Sequence, residues 1–106
     1  MKNHIIFLLF ASIIITACHP TNKIYQHGKH YQQHHDYFSL AKVVKLVEIG
    51  TDTTQIKNIL GEPINMGFDY RYLIDSTGEN GCTIGAVFHI DEAGKIDQKW
   101  IDEICE

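Results

Sequence analysis

The stretch Phe68-Asp69-Tyr70-Arg71-Tyr72-Leu73-Ile74 decides the fold class, because here the apolar residues change from helical spacing to strict alternation. Phe68, Tyr70, Tyr72 and Ile74 fall on one side, and Asp69, Arg71 and Leu73 on the other, which is the period of a half-buried strand. Asp75-Ser76-Thr77-Gly78-Glu79-Asn80-Gly81 is a turn or loop. A second strand, from about Cys82 to Ile90, puts Ile84, Ala86, Phe88 and Ile90 on one face. Asp91-Glu92-Ala93-Gly94 is a type I turn with Gly94 left-handed. A third strand then returns from Lys95 to about Ile104, with Ile96 and Trp100 on the matching face.

Working back toward the N-terminus, Ile56, Ile59 and Leu60 give one apolar face over two turns of helix. Asp52 stands where it caps the first amides, and Gln55 three residues later reaches back as in a capping box. Gly61 fits the left-handed position after the last turn, and Pro63 stops continuation. A helix this short persists only if it packs. Before it, Phe38, Leu40, Ala41, Val43, Val44, Leu46 and Val47 surround Lys42, Lys45 and Glu48 at helical spacing, predicting a helix from about Ser39 to Glu48 that ends at Gly50. Its three valines leave a strand as the alternative. The predicted class is α+β, two short N-terminal helices packed on a three-stranded antiparallel meander, ααβββ, over residues 37–106. Tyr70, Tyr72 and Phe88, with Phe68 and Trp100, form the expected core beneath the helices.

The 106-residue chain opens on Lys2 and then thirteen nearly apolar residues, Ile5 to Ala17. That is the layout of a signal peptide. A helix of that length covers about 20 Å, against roughly 30 Å of hydrocarbon. Ile15-Thr16-Ala17-Cys18 resembles a bacterial lipobox, which implies cleavage after residue 17 and acylation of Cys18, with His19 in place of aspartate matching sorting to the outer membrane. Several acyl chains anchor stably where one does not. The alternative is a soluble exported protein. Residues 18–36 are polar and rich in His and Gln, and read as a flexible tether.

Three cysteines in an exported chain leave one unpaired unless it is used elsewhere. Lipidation of Cys18 leaves Cys82 and Cys105, which an oxidising periplasm lets close a loop of about 23 residues. Two reduced thiols are the other reading. If Asp91 faces Lys95, Cys82 opposes Ile104 and Cys105 opposes Gly81, on opposite faces. Bonding then requires a bulge or a frayed last residue.

The charge of −4 becomes −5 once Lys2 is removed, with no basic stripe for nucleic acid. Five of the seven histidines fall in the tether. His27, His30, His34 and His35 are candidate zinc or copper ligands, but no cysteine or carboxylate cluster completes a site, and a solvated linker is the plainer reading. Asp69 and Arg71 read as an ion pair on the sheet's outer face, and His89 lies near Asp97 across the hairpin without a nucleophile beside it. No enzyme activity and no cofactor are expected. Trp100 and outer-face Ile101 are the candidate partner surface.

Gly50-Thr51-Asp52 before a capped helix, Ile56 to Pro63 with its Leu60-Gly61-Glu62-Pro63 ending, the aromatic strand Tyr70 to Leu73, and the hairpin Val87 to Ile96 occur in the order and spacing of a known family. The chain resembles the SmpA/OmlA/BamE family of small outer-membrane lipoproteins, OsmE-like members included. It differs in Thr51, where many members carry methionine. The resemblance implies a lipid-anchored domain facing the periplasm at the cell outer membrane. It also implies an envelope protein partner and a scaffold or accessory role in outer-membrane protein assembly or envelope integrity. The layout also resembles the half-domain of proteinaceous β-lactamase inhibitors, which implies an inhibitor-like or ligand-binding periplasmic module instead. A metal-handling lipoprotein is the third reading.

Overall fold

The structure, a computed structural model, describes residues 20–106. The expected signal peptide and Cys18 lie outside the described residues. The class is α+β as predicted, with one more helix and one more strand than the sequence suggests. Helices α1 (Pro20–His34), α2 (Tyr37–Leu46) and α3 (Thr53–Leu60) precede strands β1 (Ile64–Asn65), β2 (Asp69–Thr77), β3 (Thr83–Ile90) and β4 (Ile96–Glu103). The sheet is antiparallel in the order β1-β2-β3-β4.

The largest departure from expectation is α1, which occupies the stretch predicted as a flexible tether. Ile24, Gly28 and Tyr31 follow the i, i+4, i+7 spacing that lines one side of a helix, and all three are buried. A Cβ on Gly28 would lie 2.1 Å from the Ile59 carbonyl oxygen, so the glycine lets α1 meet the backbone of α3. The Tyr31 hydroxyl donates to Leu73 O at 2.5 Å, and Gln32 Nε2 donates to Ile59 O at 3.0 Å. Packing, not intrinsic propensity, holds this polar helix in place.

His35 ends α1 at φ 49°, a left-handed position in which its N–H donates to Tyr31 O at 2.7 Å. Asp36 then caps α2, its Oδ2 accepting from the Ser39 amide at 2.9 Å. With two residues between them, α1 and α2 run antiparallel. α2 buries Ser39, Leu40, Val43 and Val44, so the helical alternative wins over the strand despite the valines. Its C-terminal end is closed from the sheet. Lys99 Nζ on β4 donates to the carbonyls of Val44 at 2.6 Å, Lys45 at 3.2 Å and Val47 at 2.6 Å. A cation there satisfies orphan carbonyls and complements the helix dipole.

α3 starts after Asp52, but the predicted capping box is not made. Asp52 accepts no cap hydrogen bond and instead pairs with Lys95 Nζ at 2.9 Å. Gln55 reaches Tyr25 Oη at 3.4 Å. Gly61 takes the positive φ of 86° that the sequence predicts, but with ψ −164° the chain leaves the helix extended rather than in the left-handed helical conformation.

One face of the sheet carries Tyr70, Tyr72, Ile74, Ala86, Phe88 and Ile96 into a single core with the helices. Tyr31, Tyr72 and Phe88 meet edge to face, with centroids 6.3 and 6.0 Å apart. Phe68 and Trp100, expected in this core, are exposed. Phe68 precedes β2, and only its carbonyl, which accepts from the Ile90 amide at 2.9 Å, is tied to the sheet. Trp100 has a different cause. His89 pairs with Gln98 and Ile90 with Ile96, so Asp97 is an extra residue in β4. This bulge reverses the alternation beyond it. Trp100 lies opposite Val87 on the outer face, and Ile101, opposite Ala86, packs against the core.

Candidate functional site

The same bulge decides the geometry of the cysteines. Beyond Asp97 the β3–β4 register moves by one, so the expected pairing of Cys82 with Ile104 gives way to Ile84 opposite Glu103 and Gly85 opposite Asp102. Cys82 and Cys105 then stand directly across from one another, joined by a disulfide with Cα atoms 5.3 Å apart. Glu103 secures the adjoining loop, its carboxylate accepting from the amides of Asn80 at 3.1 Å and Cys82 at 3.3 Å. Among the described residues, Cys82, Glu103 and Cys105 are the one trio of potential metal donors within 4.8 Å of each other. With both sulfurs bonded they offer no thiolates.

The candidate site is the face of the sheet turned away from the helices. Ile64, Arg71, Val87 and Trp100 form one cross-strand row there. Val87 is only 4% exposed although it lies outside the helix-facing core. Beside it, Asp69 is also 4% exposed, its Oδ1 accepting from Arg71 Nε at 3.2 Å. Arg71 holds Glu106 with its Nη1 as well, and the carboxylates of Glu106 and Asp69 raise its already high pKa. The predicted Asp69–Arg71 pair is thus part of a three-residue network that ties down the C-terminus. Next along, His89 Nδ1 meets Asp97 Oδ1 at 2.7 Å. A cleft of about 280 Å³ opens between Ile64, Met66, Leu73, Ile104 and this network. Ile64 is 48% exposed and Trp100 43%. Exposed Ile64 and Trp100 on a row whose one charge, Arg71, is already paired suit binding to another surface, since the polar groups are paired before any partner arrives.

The four candidate histidines are spread along α1 and its end. His30 and His34 stack with centroids 4.3 Å apart, His27 meets Phe38 edge-on, and His35 meets Tyr31. Among the described residues, none of the four belongs to a trio of metal donors within ligand distance. Residue types do bring a serine, a histidine and an acid together here, a grouping that sequence reading missed because α1 was not expected. Ser39 Oγ lies 2.7 Å, and Asp36 Oδ1 3.0 Å, from the same His30 Nδ1. A nucleophilic triad needs the two on different ring nitrogens, and Ser39 is buried. The cluster joins the α1–α2 turn.

Burial raises the Asp36 carboxyl, but hydrogen bonds from the Ser39 amide, the Ser39 hydroxyl and His30 outweigh it and hold the pKa below 3.8. A pKa lowered by folding gives stability that is complete above 3.8 and fades as pH falls through the lower folded value. Asp36→Ala is therefore expected to cost about 1 kcal/mol at neutral pH and clearly less near pH 3. Urea denaturation at the two pH values checks this, and an equal cost at both would refute the charged cap.

A second cleft, of about 300 Å³, lies between Tyr31, His35, Glu62, Tyr72 and Asp75. Burial first, then the Asp75 charge, push the Tyr31 hydroxyl up to about 12. Burial also raises Tyr72, whose hydroxyl donates to Gly61 O at 2.8 Å. Both phenols stay protonated at neutral pH and act as hydrogen-bond donors rather than bases.

The two predicted surface residues separate: Trp100 is available on the outer face, and Ile101 is not. Exposed Ile64 and Met66, which line the adjoining cleft, join Trp100 instead. The signal for Trp100 is the alternation of β3 combined with the cysteine pairing, which a bulge in β4 reconciles; the two residues of β1 give none for Ile64. The chain matches no protein-family model, no characterised protein sequence and no solved structure.

Proposed function

We propose that the protein is a non-enzymatic lipoprotein of the bacterial cell envelope, anchored through acylated Cys18 at the outer membrane. It acts as a scaffold or accessory subunit that binds another envelope protein through the outer face of its sheet. The sequence supports the anchor, through the lipobox-like Ile15-Thr16-Ala17-Cys18. The observation that carries the binding role is the exposed pair Ile64 and Trp100 at the two ends of an outer-face row whose Arg71 is already paired and whose Val87 is buried, on a face that the helices leave uncovered. Aromatic anchors of this kind dominate interface energetics.

Protein extracted from membranes is expected to carry acyl chains and to partition into detergent, with Cys18→Ala moving to the soluble fraction. A Cys18→Ala chain as membrane-bound as the wild type refutes the anchor. A photo-crosslinker in place of Trp100 is expected to trap one envelope protein in cells, where a crosslinker in place of exposed Lys29 traps none. Equal yields at the two positions refute the sheet-face partner.

A further inference from the structure

Cys18 stands two positions before Pro20 in the sequence. One residue thus separates it from the start of α1, and a chain spans at most about 3.6 Å per residue. Because α1 is packed on the domain, an acyl group at Cys18 fixes which end of the domain meets the lipid. The direction of α1 identifies that end. Its last turn lies at the far end, where His35 O accepts from the Asp75 amide at 3.2 Å, next to the loop between β2 and β3. Its first turns lie at the opposite end, where Ile24 shares a cleft of about 400 Å³ with Leu46, Val47, Thr51 and Ile59.

Backbone hydrogen bonds lay out the rest of this near end in order. Gly50 N–H donates to Ile96 O at 2.7 Å, Ile96 pairs with Ile90, and Ile90 N–H donates to Phe68 O at 2.9 Å. At this end the structure exposes the large apolar side chains of Tyr25 (39%), Leu46 (38%), Ile49 (57%) and Phe68 (56%), while Tyr37 and Phe38 are exposed at the start of α2. Ile49 and Phe68 are on segments outside the helices and strands, free of any helix-facing core requirement. Exposed Lys23 and Lys45 are set against exposed Glu48, Asp91 and Glu92, so charge does not select an anionic surface.

We infer that this end, with Tyr25, Leu46, Ile49 and Phe68, rests in the interfacial layer of the membrane that holds Cys18, so that the domain is docked on the lipid in one orientation. The inference rests on the lipid anchor proposed above. Acylation supplies the attachment, and the apolar end sets the angle, directing the outer sheet face sideways along the bilayer. Interfacial apolar and aromatic groups bury several ångströms into the headgroup boundary.

The test uses full-length acylated protein reconstituted into phosphatidylcholine vesicles, with Trp100→Phe removing the native tryptophan. Single tryptophans are then placed by Ile49→Trp, Phe68→Trp or, as the far-end control, Tyr37→Trp, each at a residue at least half exposed. With brominated acyl chains, emission at positions 49 and 68 is expected to fall by roughly half or more, while position 37 changes little. Vesicle flotation is measured on the same samples. Protein that floats but is quenched no more at 49 and 68 than at 37 overturns the docked end and leaves the anchor standing. Protein that does not float overturns both.

Discussion

Gly28→Val is expected to destabilise the domain by about 3 kcal/mol, the upper part of the range for forced overpacking. The Cβ has no room, with the Ile59 carbonyl oxygen 2.1 Å and its carbonyl carbon 2.9 Å away. Backbone on the other side cannot turn aside as a side chain can. α1 must therefore lift from α3, which exposes Ile24 and Tyr31 and breaks the hydrogen bonds from Tyr31 to Leu73 and from Gln32 to Ile59. Valine's better helix propensity recovers only about half a kcal/mol. Urea denaturation gives the stability, and amide exchange along α1 shows whether the helix has come away. The neighbouring Lys29→Ala, on the exposed side, should change stability by less than about 0.5 kcal/mol. A Gly28→Val protein of normal stability with protected α1 amides would show that the helices are not in close contact.

The double variant Cys82→Ala/Cys105→Ala is expected to lose about 3 kcal/mol, the chain-entropy value for a crosslink across 23 residues. The loss should be centred on the far end of the β3–β4 pair. There the Ile104 amide donates to Thr83 O at 2.8 Å, and Glu103 holds the loop amides. Reductant should lower the wild type to the level of the variant and leave the variant unchanged. If the variant keeps wild-type stability, the covalent link contributes nothing to the fold. Release of the C-terminus would also free Arg71 from Glu106, so the outer face should lose order in the same experiment.

Much of the sheet was legible in the sequence. β2 and β3 alternate because one face is buried, and the Asp91–Gly94 turn forms as read, with Gly94 at φ 78° and its amide donating to Asp91 O at 3.1 Å. Strand β1 was not legible, since Ile64 and Asn65 are too few to show a period. Helix α1 was hidden for another reason. Its buried side is built from one isoleucine, one glycine and one tyrosine among His, Gln and Lys, so composition suggested a linker while spacing encoded a helix. Pro20 at the first helical position is the start signal that composition obscured. The bulge at Asp97 has no local signature at all. Extending the regular alternation of β4 past it put Trp100 in the core and Ile101 outside, the reverse of the structure. The cysteines held the missing information, because only a shift of one residue brings Cys82 opposite Cys105.

Lys99 has a further consequence at the boundary of the sheet. β4 is an edge strand, and an unpaired strand edge is a template for joining another chain. Here that edge is kinked at Asp97 and carries, on the side facing the helices, a lysine whose ammonium is committed to three carbonyls of its own molecule. A foreign strand laid alongside would meet a distorted ladder and a charge it cannot displace. The opposite edge is the two residues of β1 and, beyond them, the rest of β2, where Tyr31 and His35 already take Leu73 O and the Asp75 amide. Copies of the domain at high local concentration are thereby kept from stitching their sheets into fibres.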